Sequence, residues 1–394
     1  MRLRIEPWLA IPLVCLFASC ASPALAQNSQ AQEAISLERQ GKNAEAEAAW
    51  TNLSREDPAN PEPFAHLGLL EARQEHYAEA IAFYKKAMAL NPSMPSLRLN
   101  LGLAFFKAGS YREAIHEFSP LLKAEPGDQR LTILVGMSHY GLGEFAAADP
   151  YLKQAAAHDS TNLPLLLTLA HSCLLSRQYP CVLNTFHQIV ALNADSAEAH
   201  MLAGEALDEM KDTAGAIREL RAAAAANPKE PNVHFGLGYL LWIQGQTQDA
   251  AREFQAELDN YPGHAQAMLY LADSLIQINR LEDALPLLEK VVSINPANAM
   301  GHLDLGIVYS EAGRNEDALR ELKQAVTLKP GDVSAHYRLG RLYRSMGRTA
   351  EAKAEFDKSK SLNKAADEGL IKVMSRVPPP DRAPQGAVTT PAVK

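Results

Sequence analysis

Several things are missing from this sequence, and each absence removes a class of function. There is no basic excess: Lys and Arg total 38 against 46 Asp and Glu, a formal net charge of −8. A surface of that sign does not neutralise phosphates, so general nucleic-acid binding is not favoured. Beyond the first 26 residues no apolar stretch is long enough to span a bilayer. No helical His-Glu-x-x-His, no Gly-x-Ser-x-Gly and no phosphate-cradling glycine loop with lysine occurs. Catalysis, a metal and a cofactor are therefore not expected. Of the four cysteines, only Cys173 and Cys181 lie beyond the N-terminal segment.

What is present is a period. From Gln27 the chain repeats every 34 residues, ten times, without insertion or deletion. The units are 27–60, 61–94, 95–128, 129–162, 163–196, 197–230, 231–264, 265–298, 299–332 and 333–366. The eighth residue of each is Gly or Ala, as in Gly68, Gly102, Ala170 and Gly306. The twentieth is Ala in every unit but one, where Val182 stands. The thirty-second is usually Pro, as in Pro58, Pro92 and Pro296. A fixed period of this length marks stacked helical hairpins.

Each unit holds two amphipathic patterns, roughly positions 2–14 and 17–29. In the third, Leu101, Phe105, Ile115, Phe118 and Leu122 follow the spacing of a buried helical stripe. The small residue at position 8 is expected to face the small one at position 20, so that the helices approach closely. Gly at position 15 permits the left-handed residue that ends the first helix. Pro near the end stops the second. One hairpin cannot bury its apolar face alone, so neighbours must cover it. The expected fold is all-α.

The pattern resembles the tetratricopeptide repeat family from Gln27 to about Ala366. Repeat 2 carries the family's motif nearly complete in Leu67, Gly68, Tyr77, Ala80, Tyr84, Ala87 and Pro92. The resemblance implies a right-handed superhelical solenoid of ten helix-turn-helix repeats whose first helices line a concave groove. It also implies a binding scaffold, since family members serve mainly as such for unrelated partners. The family's clamp for a C-terminal carboxylate is not matched: Asn100 stands at position 6, but Ala65 and Leu69 replace the Lys and Asn it needs.

The chain ends read differently. Residues 1–26 have the form of a signal peptide, with Arg2 and Arg4, an apolar run from Trp8 to Ala18, and Ala24-Leu25-Ala26 before Gln27. Export to the periplasm or beyond is expected. Lipidation at Cys20 and an uncleaved anchor are the alternatives. Without this segment the charge is about −9. Repeat 1 has a polar first helix (Gln30, Glu33, Ser36, Arg39) that suits an outer cap. Residues 367–376 read as a closing helix, and 377–394 as a Pro-rich tail without a core. Pro150 and Pro286 fall inside second helices and should kink them. Cys173 and Cys181 occupy positions 11 and 19 of one hairpin, where a bridge and two ordinary thiols are both open readings.

In the family's geometry, positions 2, 5, 9, 12 and 13, with position 6, point into the groove. Leu103, Phe106, Met137, Tyr140, His171 and Leu174 then form an apolar lining in repeats 3 to 5. Glu205 and Asp208 follow in repeat 6, Tyr239 and Trp242 in repeat 7, Asp273 in repeat 8 and Asp304 in repeat 9. Arg338, Arg341 and Arg344 share one side of a helix in repeat 10. The rings of Phe106, Tyr140, Tyr239 and Trp242 are expected to stand partly in the groove, where aromatics anchor interfaces. Leu99, Leu167 and Phe235 at position 5 read as packing residues. His200, His234, His302 and His336 recur at position 4, one per repeat, and read as packing residues instead of metal ligands. The reading is a non-catalytic scaffold of the bacterial cell envelope that binds a protein or peptide. The alternative is recognition of a glycan or polysaccharide, with Asp273 and Asp304 beside Trp242 meeting sugar hydroxyls.

Overall fold

The computed structural model describes residues 27–94 and 96–374, the side chains of 27, 28 and 366–374 excepted. The expectations for residues 1–26 and 377–394 lie outside the described residues. Among the described residues there are twenty helices and no strand. They come in consecutive packed pairs, one pair per sequence unit. In repeat 2 the pair is Pro61–Arg73 and Tyr77–Leu90, of 13 and 14 residues. The chain divides after Glu230 into two compact units.

The last position of one unit begins the next. Asn60, Asp128, Asn162, Ser196, Asn298 and Asp332 all stand at position 34, and each side chain accepts a backbone N–H of the helix that follows. These are the side chains that satisfy the orphan donors of a helix start. Repeats 3 and 7 follow Met94 and Glu230 instead. There the first helix opens later, at Leu97 and Val233, after Ser96 and Asn232 in the left-handed conformation.

Position 15 is left-handed in all ten units. Six are Gly, from Gly41 at φ 74° to Gly347 at 75°, but Glu75, Arg177, Lys211 and Asn279 adopt the same conformation at φ 59–69°. The turn geometry is thus set by the hairpin, and a side chain there sits in a region that disfavours it.

The close approach at position 8 differs from the expected small-on-small contact. Its partner is the large residue at position 24. A Cβ on Gly102 would lie 2.5 Å from the Phe118 ring, and one on Gly68 2.7 Å from Tyr84. The same holds for Gly238 against Phe254 and Gly340 against Phe356. The glycine makes room for a ring or a leucine. Ala at position 20 is buried beside it, as at Ala80 and Ala114.

The closing helix is also not a separate element. The second helix of repeat 10 runs on without a break from Thr349 to Met374, 26 residues. Lys364 stands at position 32, where most units have proline. The helices holding Pro150 and Pro286 likewise keep their full 14 residues. At the other end Gln30, Glu33, Ser36 and Arg39 are all exposed, as an outer cap requires.

Two polar devices join the hairpins. At position 4, Nδ1 of His200, His234, His302 and His336 lies 2.6–2.9 Å from Glu219, Glu253, Glu321 and Glu355 at position 23 of the same repeat. Arg98 and Glu117 make the same pairing in repeat 3, at 3.0 Å. Nε2 of His302 and His336 also meets the carbonyls of Pro296 and Pro330 at 3.0 Å. The histidines therefore tie each hairpin to the loop before it. The second device is the buried Asp149, which accepts from Ser172 and Ser176 Oγ at 2.6 Å each and from the Gln178 amide. Cys173 and Cys181 are joined beside it, their Cα atoms 5.9 Å apart.

Candidate functional site

The predicted site residues all lie on first helices, but the structure sorts them into three kinds. Leu103 and Phe106 are buried, at 4% and 3% exposure, and their side chains pack within the array instead of standing free in a groove. The Phe106 ring packs edge-on against Tyr111, centroids 5.6 Å apart, at the start of the second helix of its own hairpin. Leu103 lines a pocket of about 260 Å³ between repeats 3 and 4, together with Leu99, Leu121, Leu131 and Leu134. Met137 and Leu174 are half-buried and pack against the core.

The second kind is tied sideways across repeats. The Tyr140 hydroxyl lies 2.5 Å from Nδ1 of His171 on the next first helix. Burial, with Glu198 nearby, pushes the Tyr140 hydroxyl up to about 12. Burial lowers His171. Both shifts favour the neutral forms, a protonated Tyr140 hydroxyl beside an uncharged imidazole. Glu205 is open to solvent, yet enough protein surrounds its carboxyl to raise it by desolvation. Asp208 is half-buried.

The unit beyond Glu230 repeats the sideways tie. Trp242 Nε1–H donates to Asp273 Oδ2 at 2.5 Å, and the Gln277 amide donates to the same oxygen at 2.6 Å. Tyr239 stacks near Trp242, centroids 6.2 Å apart. Tyr270, which the sequence reading missed, stands edge-on to both at 5.4 and 5.1 Å. Its position 6 was the available signal. All three rings are half-buried. Phe235 joins them through Tyr270 and packs on Phe254.

Asp304 departs from its expected place beside Trp242. Asp273 takes that place, and Asp304 is buried, at 4% exposure, on the following first helix. Its Oδ2 has no hydrogen-bond partner among the described residues. Burial raises the Asp304 carboxyl well above the ordinary range, Asp273 and Asp332 raise it further, and Arg338 draws it back. Burial also raises Asp273, against the lowering effect of its bonds from Trp242 and Gln277. A buried carboxyl without a partner is costly, so its placement calls for a reason outside the fold.

The third kind is exposed. Arg341 and Arg344 face solvent and Arg338 is half-buried; none is ion-paired among the described residues. The Arg344 guanidinium lies over the Phe356 ring, 5.5 Å from its centroid. No group of His, Cys, Asp and Glu is arranged to hold a metal among the described residues. None of the described helices is long and apolar enough to cross a membrane.

Two family models described as tetratricopeptide repeat match the chain. One covers residues 32–95, 183–231, 201–263 and 235–299. The other covers 71–136, 279–326 and 309–363. No curated protein matches the sequence. Among solved structures, MamA from Desulfovibrio magneticus RS-1 is 26% identical over 43% of this chain and 97% of its own, with a TM-score of 0.40. YrrB, described as a repeat protein of this type with an unusual peptide-binding site, is 18% identical over 49% and 98%, TM-score 0.40. The Cut9–Hcn1 complex is 16% identical over 75% and 58%, TM-score 0.43.

Proposed function

Because the chain belongs to the tetratricopeptide repeat family, we propose that it is a non-catalytic scaffold that seats a protein or peptide on its first-helix face. The observation that carries this reading is the row from Tyr239 to Asp304. Stacking of hairpins needs the small residue at position 8 and the large one at position 24. It does not need three half-buried rings, nor a buried carboxyl with an unpaired oxygen. Aromatic anchors with a few polar groups are the composition of binding hot spots. The scaffold works in the bacterial cell envelope, a location supported by the signal-like form of residues 1–26.

Crosslinking in the native envelope tests the reading, comparing the wild-type chain with Tyr239→Ala/Trp242→Ala. The wild type captures a defined protein partner and the double variant loses it. A double variant that still captures every partner overturns the proposal. Cell fractionation checks the location.

A further inference from the structure

We infer that Asp273 and Asp304, with Trp242 and Tyr270 beside Asp273, seat one basic side chain, lysine or arginine, of the protein partner. The inference rests on the binding reading above and names the chemistry of that same face.

Three observations converge. First, the two carboxyls lie on consecutive first helices, those of repeats 8 and 9, which touch one another. Asp273 and Asp304 interact electrostatically and unfavourably, and no arginine or lysine of the chain pairs with either among the described residues. Arg338 attracts Asp304 but makes no ion pair with it. Second, Asp304 Oδ2 is buried and accepts no hydrogen bond from the described residues. Third, the approach to Asp273 is walled by aromatic rings, with Trp242 and Tyr270 centroids 5.1 Å apart.

Two desolvated carboxyls are expensive as anions unless a positive charge meets them. A cation offers that charge to both at once, and rings at the same place favour a cation over a neutral group. A sugar hydroxyl fills a hydrogen bond but leaves the repulsion between the acids in place. Arg338, Arg341 and Arg344 follow on repeat 10, so the face turns positive past Asp304 and has no second seat for a basic group. The partner therefore offers a single lysine or arginine here, with no further basic residue toward repeat 10.

An array of random decapeptides probed with the full chain tests this. Binding is compared for wild type, Asp304→Asn, Asp273→Asn and Tyr239→Ala/Trp242→Ala, each checked for helix content and melting. The expected result is that bound peptides share one lysine or arginine. Replacing it by norleucine weakens binding at least tenfold. Either Asp→Asn change does the same, without further loss when combined with norleucine. Peptides that bind without a basic residue, and equally to Asp304→Asn, overturn the inference. If those peptides still need Tyr239 and Trp242, the binding reading itself stands. If no peptide depends on the two aromatics, that reading falls as well. Saturable binding of cello-oligosaccharides at the same face, lost in Asp304→Asn, also overturns the basic-residue seat.

Discussion

The hydroxyl of Tyr140 and Nδ1 of His171 share a hydrogen bond of 2.5 Å, from position 12 of one repeat to position 9 of the next. Trp242 and Asp273 occupy the same two positions three repeats further along the sequence, and they also bond at 2.5 Å. The step is one a pair of parallel first helices offers wherever both side chains reach. Residues that look independent in the sequence are therefore coupled in pairs, and removing one leaves its partner buried and unsatisfied.

His171 should make stability depend on pH. Burial lowers its folded-state pKa below the ordinary imidazole value of 6.5. The unfolded chain then binds more protons, so the contribution is fully present above 6.5 and is lost as pH falls through the folded value. Denaturant melts from pH 8 to 5 are expected to show falling stability, and His171→Gln to reduce the slope.

Asp304 should have the opposite sign. Its raised carboxyl contributes stability below the ordinary carboxyl value of 3.8 that is lost as pH rises through the folded pKa. At pH 7 Asp304→Asn is expected to stabilise the fold by about 1 kcal/mol or more, a gain that shrinks in acid. Paired melts at pH 7 and pH 4 check it. Greater stability together with weaker partner binding is the signature of a residue kept for function.

Gly102→Ala is expected to destabilise by about 1–3 kcal/mol, because its new Cβ would meet the Phe118 ring. Gly102→Ala combined with Phe118→Leu should recover part of the loss. Equilibrium unfolding of the single and double variants measures both.

Position 15 offers a gain. Glu75→Gly and Lys211→Gly, at φ 64° and 69°, remove a side chain from left-handed backbone. Each should raise stability by roughly 0.5–1 kcal/mol, less the entropy that glycine adds to the unfolded chain. Thermal melts of the two single variants suffice.

The bridge between Cys173 and Cys181 closes a short loop of separation 8. Its reduction should cost roughly 2 kcal/mol. Thiol titration with and without reductant, alongside melts, is the check: two new thiols appear and the midpoint drops.

The fold could be read from the sequence because its information is periodic. Gly68, Ala80 and Pro92 each do one job at one position, and ten copies average out drift. The site could be read only in outline. Position numbers put Tyr140 and His171, and Trp242 and Asp273, on first helices, but their bonds run between repeats, where a pattern within one repeat is silent. Phe106 and Tyr140 share position 12, yet one is buried and the other half-buried. That difference depends on how each ring packs with its neighbours, Tyr111 in one case and Phe145 and His171 in the other. Position 8 was misread for a related cause: smallness was visible, but what fills the space is sixteen residues away in the partner helix.

The uninterrupted final helix has a geometric corollary. At 1.5 Å per residue, Thr349 to Met374 spans about 39 Å, against about 21 Å for an ordinary second helix of this array. The chain therefore leaves its last hairpin as a rod that overshoots by some three turns, about 18 Å. The tip of that rod is Met374, beyond the length at which an ordinary second helix of this array stops.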